Sequence, residues 1–584
     1  MSKPYQELRP SQFVITFGPG SIVETESGPV VLKSMDTLFT GIDQRPQDFE
    51  ILDDRLSRLE LSNAKITRVP TNAELRLPAA NPIYPTYAFP TWALCAQHRP
   101  YQILYEASAG CPECALLPGW KRREKAGKEA IRFIIACENG HMDEVNWHRL
   151  VHEGANCGTH HYLWRGGGRA LRFVWLECPK CGASANFGQA YARTWPCTCR
   201  LPEYGPRPEP GTVQCAKAAR IVQRGSANLR MGELVTALTI MDMPTRLHGV
   251  LADRSLLGAV SALHRRGLLN HDELLVEAAE TGLSDDAIAY LRSTPWTDIR
   301  NALDQLLGIS PAESVSLRDG ELERLQNAAA NGAPPVPHPQ FGSPPLFEVN
   351  HDDVRSVRSP GGRYALRVAP VTRLRMVLVQ TGYRRLDPQA GEVVPTSFDR
   401  NGVTWYPGVE LFGEGIFMDL GDMALALNGE RVGPWEARYR SHPEFDLVLH
   451  PVHVWWHSLS HRLLWALSVD SGYSSAAIRE RVYVRIENGV VTGSGLLLYT
   501  VQPGGDGTMG GLVSLVSRFE NVLAQALQDV GTCSNDPLCE EAPTAGADGA
   551  ACYSCLFASE TSCEHRNYGL DRLLLSQNLP WRVG

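Results

Sequence analysis

The rhythm of apolar and polar positions changes along the chain, and each change predicts a different kind of element. Residues 1–90 hold short apolar runs, such as 12–16 and 30–32, punctuated by Gly and Pro, which predicts small strands and turns. From 91 to 225 cysteines interrupt every periodic segment, as expected of loops stapled by metal. Residues 226–330 turn helical: 255–263 and 287–291 repeat their apolar positions at the helical period, and the segment reads as a helical insert. Residues 331–346 form a proline-rich linker. Beyond it, 347–584 mixes strand-like runs at 374–379 and 482–486 with predicted helices at 454–469 and 512–529. The fold class expected is mixed α+β and multidomain. It has a strand-rich and zinc-ribbon N-terminal region, a helical insert, and a C-terminal α/β domain closed by four cysteines.

Composition narrows the function classes. With 584 residues the chain exceeds a single core, and 43% hydrophobic against 21% charged residues is ordinary for globular protein. A net charge of −8 argues against a whole-surface nucleic-acid binder but leaves room for a local basic groove. The N-terminus lacks a basic start followed by an apolar core, and the apolar stretch 463–469 is too short to span a bilayer. A cytoplasmic location is expected, where the 15 cysteines read as metal ligands and not as disulfides.

Pairs spaced C-x2-C wrap one edge of a zinc tetrahedron within a tight turn. Cys95, His98, Cys111 and Cys114 give a zinc-ribbon pattern; alternatively His98 is a surface histidine and Cys137 or His141 completes the site. Cys178, Cys181, Cys197, Cys199 and Cys215 supply five ligands for four places, with Cys199 or Cys215 to spare. Cys137 and His141, near Cys157, His160 and His161, suggest a third site or a buried Cys with a hydrogen-bonded His. At the C-terminus Cys539, Cys552, Cys555 and Cys563 form the strongest set, with Cys533 in reserve. Together the clusters can hold about two to four structural Zn2+ ions.

Other candidates carry less chemistry. His457 and His461 share a helix face, but the glutamate of H-E-x-x-H is missing because residue 458 is Ser. A buried polar network or a DNA-facing pair is the preferred reading; a zinc-dependent nuclease or hydrolase using this region is the alternative function. The glycine-rich stretch 504–511 reads as a tight turn before a phosphate cradle. Lys121, Arg122 and Arg123 beside Trp120, and Arg479 with Arg481, are the basic spots that suit single-stranded DNA. Trp455, Trp456 and Trp465 read as core. No G-x-x-x-x-G-K-[ST] loop occurs, so the chain has no Walker-type ATP site of its own.

Several passages carry a family likeness. Tyr499 to Gly507, the apolar helix after it, and the cysteine set ending in Leu570-Asp571 resemble a four-cysteine domain at the C-termini of certain superfamily-two helicases. Arg9-Pro10-Ser11-Gln12 with Gly18-Pro19-Gly20, Ala136-Cys137-Glu138-Asn139-Gly140-His141, Ser460-His461-Arg462-Leu463-Leu464, Gly472-Tyr473-Ser474-Ser475 with Arg479-Glu480-Arg481, and Thr561-Ser562-Cys563-Glu564, in that order, resemble the DrmB family of the DISARM phage-defence system. His98 stands where that family more often has a cysteine. The resemblance implies a non-catalytic subunit that partners a DrmA-like helicase and binds DNA with it, single-stranded or carrying a single-stranded overhang, away from any membrane.

Overall fold

The computed structural model describes residues 7–42, 44–78, 81–116, 128–155, 157–166, 170–205, 214–239, 246–251, 253–265, 267–306, 316–336, 344–387, 391–421, 423–503, 510–541, 549–559 and 561–581. The chain forms two compact units, each discontinuous in sequence: 1–52, 60–236 and 378–409 in one, 53–59, 237–377 and 410–584 in the other.

Short strands dominate the first unit. A four-stranded antiparallel sheet runs in the order Met142–Glu144, Phe133–Ala136, Ala219–Gln223, Thr194–Trp195. A six-stranded sheet runs Ser184–Asn186, Trp175–Glu177, His161–Arg165, Tyr101–Glu106, Trp92–Cys95, Lys128–Ala130. Aromatic rings fill the core between them: Phe187 lies 4.7 Å from Phe133 and 5.1 Å from Trp164, centroid to centroid. The buried Arg385 guanidinium donates to the carbonyls of Gly20 (2.9 Å), Gly140 (2.8 Å) and Leu229 (2.9 Å), pinning three turns with one side chain. One expectation is corrected here. Residues 10–15 form the helix Pro10–Ile15 and not a strand. Pro10 is preorganised for the first helical turn, and the Gln12 side chain accepts from the Arg9 N–H at 3.0 Å.

The second unit begins with helices Arg246–Leu251, Arg254–Arg265, His271–Glu280, Asp285–Ser293 and Trp296–Leu306, packed around Leu256, Val260, Leu274 and Ile299. The helix Leu317–Asn331 follows. The rest is a long-stranded antiparallel sheet whose members include Val490–Pro503 between Ile478–Glu487 and the later half of Val403–Asp419. The strands predicted at 374–379 and 482–486 fall inside Ala365–Arg384 and Ile478–Glu487. Predicted helix 454–469 falls inside Pro451–Asp470, which starts with Pro451 and an N-terminal cap from His450. This helix is apolar on nearly every side, and it is accordingly buried against Ile416, Val482, Leu498 and Phe519. Trp455 and Trp456 are core, but Trp465 is 54% exposed, correcting its assignment to the interior. The predicted helix at 512–529 is split into a 3-10 turn, Val513–Arg518, and the α-helix Phe519–Leu527. No helix among the described residues is long and apolar enough to cross a membrane.

Charges inside this unit are matched. Glu321, on the helix Leu317–Asn331, pairs with Arg481 at 3.2 Å and accepts from Tyr483 (3.1 Å) and the Leu238 N–H (3.0 Å). Arg481 also reaches Glu564 at 3.3 Å. Removing one partner leaves the other's charge buried and uncompensated. Arg481→Ala should therefore lower unfolding free energy by about 3–5 kcal/mol, read from the denaturant midpoint; a change within experimental error would remove this network from the account of the fold.

Candidate metal centres

Zinc held by two sulfurs needs them about 3.8 Å apart, the edge of a tetrahedron with ~2.3 Å bonds. A disulfide needs ~2.05 Å. No cysteine forms a disulfide, and the closest sulfur–sulfur approaches within the groups lie between 3.5 and 3.9 Å. Four cysteine-rich groups each bring four ligand atoms within 4.8 Å of one another.

The first group is Cys95, His98, Cys111 and Cys114, as the ribbon spacing predicts. Cys95 ends a strand and Cys111 caps the helix Pro112–Ala115. His98 Nε2 lies 3.2 Å from Cys111 Sγ and 3.3 Å from Cys114 Sγ, while its Nδ1 faces Glu113 at 3.3 Å. That carboxylate fixes the tautomer which leaves Nε2 free to coordinate. His98 is thus a member of the site and not a surface residue.

The second group departs from the predicted sets. Cys137 and His141, the two ends of the turn between Phe133–Ala136 and Met142–Glu144, join Cys197 and Cys215. Cys137 Sγ is 3.4 Å from His141 Nδ1, 3.6 Å from Cys197 Sγ and 3.9 Å from Cys215 Sγ. Cys199 belongs to no group; its backbone N–H instead donates to Cys197 Sγ at 3.3 Å. The C-x-C spacing is spent on that turn and cannot also deliver a second sulfur.

The third group is Cys178 and Cys181 with Cys157 and His152. Cys197, Cys199 and Cys215, expected here, are elsewhere, and His160 and His161 join no group among the described residues. His152 closes the helix Trp147–His152; its Nδ1 donates to the His148 carbonyl at 3.2 Å, and its buried Nε2 has no hydrogen-bond partner among the described residues. An orphaned imidazole nitrogen beside three sulfurs fits a metal ligand. Sequence reasoning missed it, although His152-x4-Cys157 was there to be read.

The fourth group is Cys533, Cys539, Cys552 and Cys555, so Cys533 is a member and Cys563 is not. Cys533 and Cys552 sulfurs are 3.5 Å apart, Cys539 and Cys555 3.7 Å. Backbone N–H groups of Asn535 and Ser554 donate to Cys533 and Cys552 at 3.4 Å each.

Neighbouring sulfurs shift one another in opposite directions: burial raises Cys111, Cys114, Cys157, Cys215, Cys539 and Cys555, while three others are lowered. The Cys197 S–H facing Cys137 draws its thiol down to about 4. Burial alone would raise Cys178, but the N–H groups of Cys181 and Lys180 bring it to about 6. Burial likewise opposes the Ser554 N–H at Cys552, which settles at about 7. Thiolate is the form that binds metal. Four protein donors leave no coordination position for water, so a zinc ion held by any of these groups would be structural.

The proposed DNA contacts divide differently. Arg481 is 2% exposed and locked to Glu321 and Glu564, so its assignment to DNA is corrected to a structural one. Arg479 is half-buried on the same strand. Lys121, Arg122 and Arg123 lie outside the described residues, as do residues 504–509 of the glycine-rich stretch.

With the geometry in place, the likenesses to known proteins fall on the same regions. Residues 459–556 match the family described as MrfA Zn-binding domain, and residues 9–231 match a family described as Domain of unknown function (DUF8724). The DISARM protein DrmB of Bacillus paralicheniformis is 25% identical over 539 residues, covering 85% of this chain and 89% of that protein. A solved structure titled as the DUF1998 helicase MrfA bound to DNA aligns at 13% identity and a TM-score of 0.21, over 40% of this chain and 26% of that one, too loosely to relate the folds. The chain is thus similar to DrmB over most of both proteins, has a zinc-binding domain toward its C-terminus, and has several four-donor groups fitted for zinc.

Elemental analysis should accordingly find at least one zinc for each cysteine-rich group. Cys197→Ser should lose one equivalent, whereas Cys199→Ser should keep the full complement. Equal losses from both variants would overturn the ligand set of the second group.

Proposed function

We propose that this chain is a non-catalytic, zinc-stabilised subunit that partners a DrmA-like helicase and helps it bind DNA in bacterial anti-phage defence. The observation that carries this reading is the collinear likeness to the DISARM protein DrmB across 85% of the chain. Two features of the chain support it. The sequence contains no Walker-type loop, so the Lys and Ser/Thr that would hold a nucleotide's terminal phosphates and Mg2+ in such a site are missing. The cysteine-rich groups each have four protein donors, which makes their zinc a fold-stabilising ion and leaves it no Lewis-acid role toward a substrate. Reduced thiolates of this number belong to a cytoplasmic protein. The alternative, a zinc-dependent nuclease or hydrolase at His457 and His461, has no support from the site: both rings are buried, 0% and 4% exposed, and face protein groups on all sides.

Within this reading the DNA contacts are Lys121, Arg122 and Arg123, with Arg479 secondary. They act as part of a groove completed by the helicase, and the DNA is single-stranded or carries a single-stranded overhang. Few phosphate contacts per subunit mean weak, salt-sensitive binding by the chain alone, and a second set on a fixed partner raises the effective concentration.

The purified chain should hydrolyse no ATP, should co-purify with the helicase encoded beside it, and should alter that helicase's DNA-stimulated turnover. ATP hydrolysis by the chain alone, or failure to form the complex, sinks the proposal. For the DNA contacts, a fluorescent oligonucleotide titrated at several salt concentrations is the test. Arg122→Ala with Arg123→Ala should shallow the log–log salt slope of the complex by about 1.4, from two lost contacts on single-stranded DNA, without changing zinc content. An unchanged slope would place the DNA path elsewhere.

A further inference from the structure

A fifth group of potential ligands lies apart from the cysteine-rich ones: His457, His461, Glu480 and Cys563, all four buried. The two histidines sit i, i+4 on one face of the helix Pro451–Asp470; Glu480 is on the strand Ile478–Glu487; Cys563 comes from the segment after the fourth cysteine group. His457 Nε2 lies 2.8 Å from Glu480 Oε1 and 3.2 Å from Cys563 Sγ, and His461 Nε2 lies 3.2 Å from the same carboxylate oxygen.

Counting protons shows why this arrangement calls for a cation. His457 Nδ1 faces the Gly569 carbonyl at 3.1 Å and His461 Nδ1 faces the Leu556 carbonyl at 2.7 Å. A carbonyl only accepts, so each Nδ1 carries its proton, and each neutral ring turns an Nε2 lone pair toward the centre. There the two lone pairs meet a carboxylate oxygen and a sulfur. Without an ion the centre needs protons on Cys563 and Glu480, or on the rings, which would bury imidazolium charge where exposure is 0% and 4%. A divalent cation engages all four donors at once, and the charges of one carboxylate and one thiolate neutralise it.

The supporting groups are those a metal site needs. Ser460 Oγ donates to the far oxygen of Glu480, the Asn567 N–H donates to Cys563 Sγ at 3.2 Å, and the Glu480 N–H donates to the Ser562 carbonyl at 3.0 Å. Each ligating atom is therefore held from behind. Two further buried nitrogens, His453 Nδ1 and His565 Nε2, have no hydrogen-bond partner among the described residues, and the His565 ring centroid is 5.5 Å from that of His457. Both rings pack edge-on against that of His457.

We propose that His457, His461, Glu480 and Cys563 bind a fifth, structural zinc ion. Nitrogen, oxygen and a single sulfur make a borderline donor set that suits zinc, and four protein donors close the tetrahedron. The site joins the central helix, a core strand and the terminal segment, its outermost ligands His457 and Cys563 lying 106 residues apart along the chain. Two of its ligands, His457 and Cys563, lie outside residues 459–556, the part that matches the zinc-binding domain family. The proposal concerns this chain's own metal content and stands or falls independently of any helicase partner.

The test uses the full-length protein. Anomalous diffraction data collected on either side of the zinc edge should show a peak within bonding distance of all four side chains. Mass-spectrometric metal analysis should give five zinc ions per chain, falling to four in Glu480→Gln and in Cys563→Ser, with the cysteine-rich groups still loaded. Where a variant does not fold, the wild-type anomalous map decides alone. A wild-type map without this peak, or four zinc ions in wild type and an unchanged count in both variants, overturns the proposal. A peak at the iron or manganese edge in its place overturns the assignment to zinc.

Discussion

Sulfur atoms held as close as 3.5–3.9 Å repel one another as thiolates, and a cation bound among them offsets that repulsion, so metal binding in the cysteine-rich turns adds folding energy. The rest of the first unit depends on that closure. Its sheets are built from strands of few residues, Thr194–Trp195 and Met142–Glu144 among them, which pairing alone holds poorly. The ligands sit where those strands end. Cys137 follows Phe133–Ala136 directly and His141 precedes Met142–Glu144, while Cys197 and Cys215 lie just outside Thr194–Trp195 and Ala219–Gln223. One ion bound there would therefore clamp the ends of all four strands in that sheet. Cys178 and Cys181 do the same for the turn between Trp175–Glu177 and Ser184–Asn186.

The second unit reaches stability by another route. Its strands are long, and the helix Pro451–Asp470 offers apolar residues on nearly every side, so burial supplies the driving force. Burial then imposes its own requirement: each polar group carried inside must find a partner there. Glu321 meets Arg481 and Tyr483, Asp571 accepts from Trp435 at 2.9 Å, and the histidine face of the central helix meets Glu480 and Cys563. Cation closure and internal pairing are two answers to one problem, the placing of electron-rich atoms where water cannot reach them.

This distinction explains what the sequence disclosed. C-x2-C knuckles and Cys-x2-His are local, so the first site and half of each of two others were legible from spacing. The remaining ligands arrive by topology. Cys563 is closer in sequence to Cys555 than Cys533 is, yet the chain turns it toward His457, because the Ser562 carbonyl accepts from the Glu480 N–H and docks this segment on the strand, while the Asn567 N–H holds the Cys563 sulfur. No spacing rule contains that turn. His152 was hidden for the same reason, as the last residue of a short helix that only the fold brings beside Cys178. The long apolar helix and the central strands were legible because periodicity is also local. The run 12–16 was misread since a short apolar run fits strand and helix alike, and Pro10, at the start of the helix Pro10–Ile15, decided the matter.

Counting basic residues also misleads about nucleic acid. The 56 lysines and arginines already fall short of 64 acidic residues, and a share of the arginines is unavailable to any ligand. Arg385 is spent on three carbonyls, Arg481 on two glutamates, and Arg572 on Asp536 and the Gly531 carbonyl, each being 2% exposed or less. Guanidinium suits this work because its planar fork satisfies several acceptors at once. Carboxylates such as Asp143, Glu321 and Asp571 are buried as well, so burial does not reverse the net charge of −8, whose long-range field repels phosphate. Attraction to DNA must come from a local cluster strong enough to act within a Debye length, or from a partner that contributes the missing positive charge. Under the proposed function, an acidic chain with several arginines committed to its own fold serves as one side of a shared groove and does not hold a nucleic acid alone.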